Sequence, residues 1–367
     1  MILKKLFLPA LFLLFSITCS AGQDTTVSKV VTHYYSLHGG FTGMADVWGN
    51  YTLDMTFESM LFYDMYSRNK TYTPMVLGIM KMRKYSSTDI IPFENQPFCS
   101  INHTLFLATG DSNYLKNYLS ESTRMMTRAR YSTDGAIMMK DGDNFYLLID
   151  YLQEYASRMA KTGFYTKNQT YYLECLNQFK TYRRILRNPG TGLWSQGRGW
   201  MNDLYELSPC AWSRGQGWLM RGMVTSLQYL PAGSNYYLEL QKILIELSDA
   251  LLKVQDPDGM WHQLPDQPFS DSYPETSGTG MIAYYMALAL KEGFLDGAQY
   301  LSAVRKAEKS LLSCIKNDGT VTGACRGPGP LISTESYLRK SAPNDEDHGV
   351  QAIIYSQCIK LLISESQ

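Results

Sequence analysis

The chain lacks an excess of either charge. Its 367 residues include 34 Lys and Arg against 34 Asp and Glu, which gives a formal net charge of zero. Long runs of Lys or Arg are also missing. Proteins that bind nucleic acid usually present a basic face. The charge pattern therefore predicts no nucleic-acid partner.

Histidine is scarce, and metal-ligand patterns are absent. The chain has five histidines, none of them paired at the spacing of a metal site, and its seven cysteines lack such spacing too. We therefore expect no bound metal. The remaining composition, 45% hydrophobic and 19% charged, is typical of a globular protein with a large core.

Long apolar runs are missing beyond the N-terminus. The first residues, MILKKLFLPALFLLFSITCSAGQ, join two lysines to an apolar run at 6–17 and then to small residues. Because a bilayer span needs ~20 residues, this pattern predicts a secretory signal peptide over 1–21. We expect 22–367 to be a single catalytic domain without membrane contact. The mature protein would be secreted or lumenal.

Cysteine and asparagine patterns support an oxidising compartment. Loss of the leader would remove Cys19 and leave six cysteines, an even number that permits three disulfides. Cys314 and Cys325 flank a short loop, and we predict that they form a disulfide. A glycoprotein is also expected, because the chain has four acceptor motifs for N-glycosylation. They lie at Asn50, Asn69, Asn102 and Asn168.

Alternating strand patterns are scarce, whereas a helical period of 3.6 recurs over 55–66, 235–254 and 278–295. Four junctions between helices resemble one another, each with a glycine followed by an aromatic–Leu pair. The glycines predicted to end helices are Gly110, Gly163, Gly233 and Gly297. Their separations of 53, 70 and 64 residues match a helical hairpin with its loops. About six hairpins fit, which predicts an all-α fold, an (α/α)6 barrel or six-hairpin toroid.

Two segments offer carboxyl groups for proton transfer. The segment MMKDGDNFYLLIDYLQEYA contains Asp141, Asp143 and Asp150. Asp143 precedes a predicted helix, so it could be a catalytic acid or only an N-cap. Glu94, in IIPFENQPFCSI, could equally be a buried structural residue.

An aromatic and basic cluster offers contacts for a sugar. In AWSRGQGWLMRGM, Trp212, Arg214 and Trp218 lie close together along the chain. Indole faces suit sugar rings, and a guanidinium suits a carboxylate. The same segment could be only the glycine-loosened start of a core helix. Further on, His262 could bind a ligand or belong to a turn.

Together these segments resemble the unsaturated uronyl hydrolases. The words VQDPDG-W-Q and PETS-T-M-AY, following W-RG-GW, are similar to glycoside hydrolase family 105, the unsaturated rhamnogalacturonyl hydrolases, with family 88 as its sister. The resemblance runs from about residue 54 to the end and is strongest over 212–295. It implies an (α/α)6 barrel that removes a 4,5-unsaturated uronate from oligosaccharides left by polysaccharide lyases. In that reaction an aspartic acid protonates C4 and water adds at C5, so no cofactor is expected.

The resemblance also assigns roles to residues. It matches Asp143 to the acid/base aspartate, with Asp141 as the alternative, although the tryptophan and glycine that flank the family's aspartate are replaced here. Glu94 falls on the family's second acidic position, with Asp89 as the alternative. A family histidine falls on Gln196, which could hydrogen-bond a hydroxyl group but cannot titrate.

Substrate contacts follow from the same resemblance. Trp212 would stack on the sugar, Arg214 would pair with its carboxylate or a hydroxyl group, and Trp218 would support them or line the pocket. Gly215 and Gly217 would let this helix start approach the cavity. His262 is the last candidate substrate-binding residue. Two alternatives remain, a glycan-binding protein with decayed catalysis and a six-hairpin lyase or epimerase, although the scarcity of histidine argues against the second.

Overall fold

The computed structural model describes residues 25–40, 51–82, 101–141, 144–199 and 206–364. Within these ranges the chain is mostly helical. In chain order the helices are α1 (Thr25–Leu37), α2 (Tyr51–Ser67), α3 (Thr73–Met82), α4 (Ile101–Thr109), α5 (Ser112–Arg128), α6 (Ile149–Thr166), α7 (Gln169–Leu186), α8 (Ser213–Leu227), α9 (Asn235–Leu252), α10 (Thr276–Lys291), α11 (Ala298–Leu311), α12 (Thr334–Leu338) and α13 (Asp347–Ser364). Short strands β1 (Met139–Asp141), β2 (Asn144–Leu148) and β3 (Gly197–Arg198) form one antiparallel sheet in that order.

The helices form two concentric layers. In the inner layer α4, α2, α13, α10, α8 and α6 follow one another around the barrel, and each also packs on an outer helix. The outer partners are α5, α3, α1, α11, α9 and α7. The sixth hairpin joins the two ends of the described chain, because α1 packs on α13. The predicted (α/α)6 barrel is confirmed.

Burial follows the layers. The inner helices α6, α8 and α10 bury residues on every face, including polar ones, because neighbours surround them. The outer helix α5 instead buries one stripe at helical spacing, with Tyr114, Tyr118, Ser122 and Met125. Polar residues on inner helices therefore face other inner helices or the barrel interior.

Most inner helices run in the same direction, which gives the barrel two distinct ends. At one end the helix starts meet: Thr52 on α2 donates to Asp347 on α13, and Arg214 on α8 donates to Ser277 on α10 at 2.6 Å. At the other end the Tyr66 and Tyr284 hydroxyl groups lie 2.9 Å apart. We call these the site end and the far end.

Several local expectations were wrong. Gly163 does not end a helix: it lies inside α6, where an added Cβ would come within 2.6 Å of Tyr172, and the left-handed residue that ends this helix is Lys167, with φ 57°. Residues 144–148, expected to be helical, form β2. Helix α6 therefore starts at Ile149, later than predicted. Gly110 does end a helix, with φ of 75°. Gly233 and Gly297 do not: α8 ends earlier, at Leu227, and Gly297 is the N-cap of α11.

The predicted Cys314–Cys325 disulfide is wrong. All five cysteines in the described part of the chain are free. The Cys314 thiol lies 3.9 Å from the Ser310 carbonyl oxygen, whereas the Cys325 thiol accepts a hydrogen bond from Gln263 at 3.6 Å. The two thiols thus have separate surroundings.

Other sequence features have mixed outcomes. Asn102 is 6% exposed, which leaves no room for a glycan, whereas Asn69 and Asn168 are exposed. Asn50 and the signal-peptide prediction over 1–21 lie outside the described residues. Among the helices that the structure describes, none has the length and apolar character needed to cross a membrane.

Candidate functional site

The start of α8 carries the predicted aromatic and basic cluster. Trp212 is the N-cap residue, and the four-residue spacing of Arg214 and Trp218 places both on one helix face. All three are buried, with at most 2% of each exposed. The Arg214 guanidinium lies 4.5 Å from the centre of the Trp212 ring. Because that ring face meets Arg214, it is not available to a sugar, so stacking by Trp212 would have to use another part of the indole.

Arg214 is anchored through one nitrogen. Its Nη1 donates to the Ser277 hydroxyl at 2.6 Å and to the Cys325 carbonyl at 2.7 Å, and the Glu346 carboxylate lies 3.9 Å away. Its Nε and Nη2 make no hydrogen bond with any residue that the structure describes. A buried guanidinium with two such donors is a fixed cation suited to a planar anion such as a carboxylate.

Asp150 lies in the first turn of α6 and is 8% exposed. Burial raises the pKa of its carboxyl group to about 7, although the Arg214 charge and the Trp218 indole oppose the rise. A carboxyl group in this state can both donate and accept a proton near neutral pH. Of the acids described at the site end, Asp150 therefore has the properties of a general acid.

This geometry adds Asp150 as a candidate acid beside Asp143. Asp143 was matched to the family aspartate on the expectation that it begins a helix, but α6 begins at Ile149. Asp150 occupies that helix start instead. Asp143 itself lies outside the described residues, as do Glu94 and Asp89. The run NFYLL, rich in aromatic and aliphatic residues, was the signal for a strand before the helix.

Gln196, at the position of the family histidine, lies next to Asp150. Its main-chain oxygen accepts from the Ile149 amide at 3.1 Å. The side-chain amide is buried and tied at both ends, since Oε1 accepts from the Tyr337 hydroxyl at 2.6 Å and Nε2 donates to the Pro328 carbonyl at 3.0 Å. The structure therefore gives Gln196 a role in fixing Tyr337 and the 328 loop beside Asp150, and the predicted sugar contact would have to use a remaining N–H or lone pair.

His262 does not belong to this cluster. One ring nitrogen, Nε2, lies 3.0 Å from the Asp256 carboxylate, and Nδ1 contacts the Ser272 carbonyl. The ring is 5% exposed and packs 4.7 Å from the Phe269 ring. Both nitrogens are thus used to hold the 256–272 loop together, and the substrate-binding role of His262 stays a prediction.

The glycines of α8 also act differently from the prediction. A Cβ on Gly215 would lie 2.5 Å from the Ile149 side chain, and one on Gly217 would lie 2.7 Å from Met281. These glycines bring α8 close to α6 and α10, not to the cavity. The close packing is what places Arg214 beside Asp150.

The start of α13 supplies residues whose role the sequence left open. His348 Nδ1 lies 3.0 Å from Glu346, its ring meets Trp218 edge-on at 6.2 Å, and it lies 5.7 Å from the Tyr51 ring. Burial would raise the pKa of Glu346, but His348 and Arg214 outweigh it, so the pKa is lowered and Glu346 is an anion. The segment PNDEDHG was the available signal, but a turn with acids and a histidine is too common to assign alone.

Glu275 completes the support of Arg214. It caps the start of α10, where its carboxylate accepts from the Ser277 amide at 3.0 Å and from the Cys325 amide at 2.8 Å. Ser277 and Cys325 are the two groups that hold Arg214 Nη1, so one capping carboxylate fixes both acceptors. No group of three His, Cys, Asp or Glu side chains in the described ranges is arranged to hold a metal ion.

Comparison with known proteins identifies the family. The family model described as Glycosyl Hydrolase Family 88 matches residues 24–360. The chain belongs to glycosyl hydrolase family 88. The family match confirms the resemblance inferred from the motifs. As a member of this family, the chain is a glycoside hydrolase.

Three relatives illustrate the similarity. Unsaturated rhamnogalacturonyl hydrolase YesR of Bacillus subtilis is 26% identical over 247 residues, which cover 65% of this chain and 69% of YesR. An unsaturated 3S-rhamnoglycuronyl hydrolase of Formosa agariphila is 27% identical over 218 residues, and the match covers 53% of each chain. Among solved structures, a possible member of family GH105 from Salmonella enterica serovar Paratyphi A has a TM-score of 0.76 over 92% of both chains, at 19% identity. At that identity the structural match supports the fold alone.

Proposed function

We propose that this family 88 member removes the 4,5-unsaturated uronate from the non-reducing end of oligosaccharides produced by polysaccharide lyases. The observation that carries the proposal is the buried Asp150 carboxyl group, with a pKa of about 7, beside the anchored Arg214. The relatives named as unsaturated rhamnogalacturonyl and rhamnoglycuronyl hydrolases support the substrate class. The substrate partner is therefore an oligosaccharide that ends in an unsaturated uronate.

The reaction needs one group that first gives and later takes a proton. Protonated Asp150 donates its proton to C4 of the C4=C5 bond, and positive charge develops at C5 and the ring oxygen. Water adds at C5 and returns a proton to the Asp150 carboxylate. The resulting hemiketal opens to a ketone, and the hemiacetal left at C1 releases the remaining sugar as an alcohol. One water is consumed, and Asp150 ends in its starting state.

Arg214 binds the uronate carboxylate in this scheme. Its Nε and Nη2 supply two donors, while Nη1 stays fixed by Ser277 and Cys325. A guanidinium held in this way orients a planar carboxylate through two parallel hydrogen bonds. Since C5 carries that carboxylate, the contact places C4 and C5 at a fixed position relative to Asp150.

The test follows the ultraviolet absorbance of the enol ether in lyase-generated disaccharides from rhamnogalacturonan, ulvan and glycosaminoglycans. We expect the wild-type protein to abolish the absorbance of at least one disaccharide, with uptake of one water by mass spectrometry. Asp150→Asn should lose turnover and Asp143→Asn should keep it. The opposite pattern would return the acid role to Asp143. No loss of absorbance with folded wild-type protein on any disaccharide would refute the function.

The alternative of a glycan-binding protein without catalysis is not supported. The relatives are named as hydrolases, and the site retains a carboxyl group poised for proton transfer.

We also propose export through cleavage after residue 21 and glycans at the exposed Asn69 and Asn168. Expression in a eukaryotic cell, with N-terminal sequencing and glycosidase treatment, tests both points. An uncleaved N-terminus would contradict the export proposal.

A further inference from the structure

A second cavity lies at the far end of the barrel. It has a volume of about 270 Å³ and is lined by the later parts of α2, α6, α8 and α10 together with α4. Lys161, one of its lining residues, lies eleven residues after Asp150 on α6. At 1.5 Å per residue this is ~16 Å along the helix. The proposed hydrolysis therefore makes no use of this cavity, which is only slightly smaller than the ~300–1,000 Å³ of typical ligand sites.

Lys161 places a positive charge on the wall of this cavity. Its ammonium group makes no hydrogen bond or ion pair with any described residue and instead lies 5.7 Å from the Tyr118 ring and 5.9 Å from the Tyr229 ring. Burial lowers the pKa of Lys161 to about 8, although Glu154 and Glu58 oppose the shift. The group is therefore mostly charged at neutral pH. Lys161 is half-buried and lines the cavity, so its ammonium charge is available to an anion that enters there.

The other described charges around the cavity do not form an ion pair with Lys161. Glu58 pairs with Arg221 at 2.9 Å and accepts from Thr104 at 2.8 Å. His103 is neutral, because burial lowers its pKa well below the ordinary value. Lys291 and Glu292 lie at the exposed rim and carry opposite charges. Glu154, the other carboxylate that acts on Lys161, pairs with Arg158 at 2.6 Å. Lys161 thus lines the cavity without an ion pair to any described residue.

Several of the remaining lining residues are aromatic. Phe62 and Tyr284 stack at 6.0 Å with an angle of 22° between their planes, and the Tyr66 hydroxyl contacts that of Tyr284 at 2.9 Å. Tyr229 also lines the cavity. Such surfaces accept either the flat face of a sugar or an aromatic ring. One cation among aromatic walls is a combination that matches a small anion with a planar or ring-shaped body.

We propose that this cavity binds one small monocarboxylate, whose carboxylate pairs with Lys161 while its body packs against the Phe62, Tyr284 and Tyr229 side chains. A sugar acid and an aromatic acid share this chemistry. Glucuronate and benzoate are therefore the two probes. The probe that binds more tightly shows whether the natural ligand is a sugar acid or an aromatic acid. The site is separate from Arg214, so its occupancy does not depend on the proposed hydrolysis.

The test is calorimetric titration of the full chain with each probe at pH 7. We expect one molecule to bind in the far-end cavity, and Lys161→Met to weaken that binding about 10- to 100-fold, the effect of a charge-assisted hydrogen bond. The exposed Lys242→Met is the matched control and should change nothing. Arg214→Met should retain the binding, which separates this cavity from the site end. If Lys161→Met fails to fold, as judged by circular dichroism, Lys161→Gln replaces it with the same expected loss.

Three outcomes would overturn the proposal. The first is the absence of saturable binding of both probes at concentrations up to about 10 mM. The second is unchanged affinity in a folded Lys161 variant. The third is binding that disappears in Arg214→Met, since that would place the carboxylate at the site end. Because the readout is heat of binding and not turnover, failure here leaves the proposed hydrolysis untouched, and the reverse also holds.

Discussion

Asp150→Asn should remove activity and at the same time stabilise the protein above neutral pH. The pKa of Asp150 rises from its ordinary value of 3.8 to about 7 in the folded protein, mainly through burial. The folded state therefore binds this proton more tightly than the unfolded chain does. Its contribution to stability is complete below about pH 4 and is lost as the pH rises through about 7. An asparagine has no proton to lose and escapes this cost.

The magnitude follows from the size of the shift. A rise from 3.8 to about 7 is about 3 pKa units, and at about 1.4 kcal/mol per unit this amounts to about 4 kcal/mol. That is a large fraction of the 5–15 kcal/mol that typically separates folded and unfolded states. Between pH 4 and pH 8, the free energy of unfolding of Asp150→Asn should therefore rise relative to the wild type by about 4 kcal/mol.

Urea denaturation at several pH values measures this difference. Any constant effect of the substitution on packing cancels, because only the change between pH 4 and pH 8 matters. Asp296→Asn, at an exposed position, is the matched control and should give curves parallel to the wild type. If the curve of Asp150→Asn were also parallel to that of the wild type, the pKa of the wild-type Asp150 carboxyl group would not be raised. That result would refute the choice of Asp150 as the acid.

Three further outcomes are expected. The kcat/KM for an unsaturated disaccharide should fall as the pH rises through about 7, because the acid must be protonated, and a flat profile would contradict the role of Asp150. Arg214→Lys should lower kcat/KM about 10- to 100-fold through loss of two-point carboxylate binding, in steady-state kinetics. Gly215→Ala should cost about 1–3 kcal/mol by denaturation, because its Cβ would lie 2.5 Å from Ile149. As the control for Gly215→Ala, Gly78→Ala, with open space around it in α3, should be neutral or stabilising.

Much of the architecture could be predicted because its signals are local. The 3.6 period marks α2, α9 and α10, and Gly110 ends α4 because glycine adopts positive φ at low cost. Gly163 shows the limit of such a signal. A glycine serves equally well for close packing, and here Tyr172 occupies the space that a side chain would fill.

The site was predicted in part. The segment around Arg214 is recognisable from its residues alone, because its composition of tryptophan, arginine and glycine is uncommon. The acid could not be chosen in the same way, because Asp143 and Asp150 both precede helical patterns. The pKa of Asp150 depends on burial and on Arg214 and Trp218, which belong to another helix. Glu346 and Glu275 reach Arg214 from two further segments, and no local pattern announces such a meeting.

The sequence by itself determined the helical hairpins, the family motifs and the presence of an aromatic and basic cluster, because hydrophobic period and turn chemistry are properties of neighbouring residues. Only the tertiary structure decided which carboxyl group lies beside Arg214, which histidine is tied into a loop, and that Lys161 lines a cavity without an ion pair to any described residue. These properties arise from desolvation and from charges on other helices. Both depend on how the barrel closes.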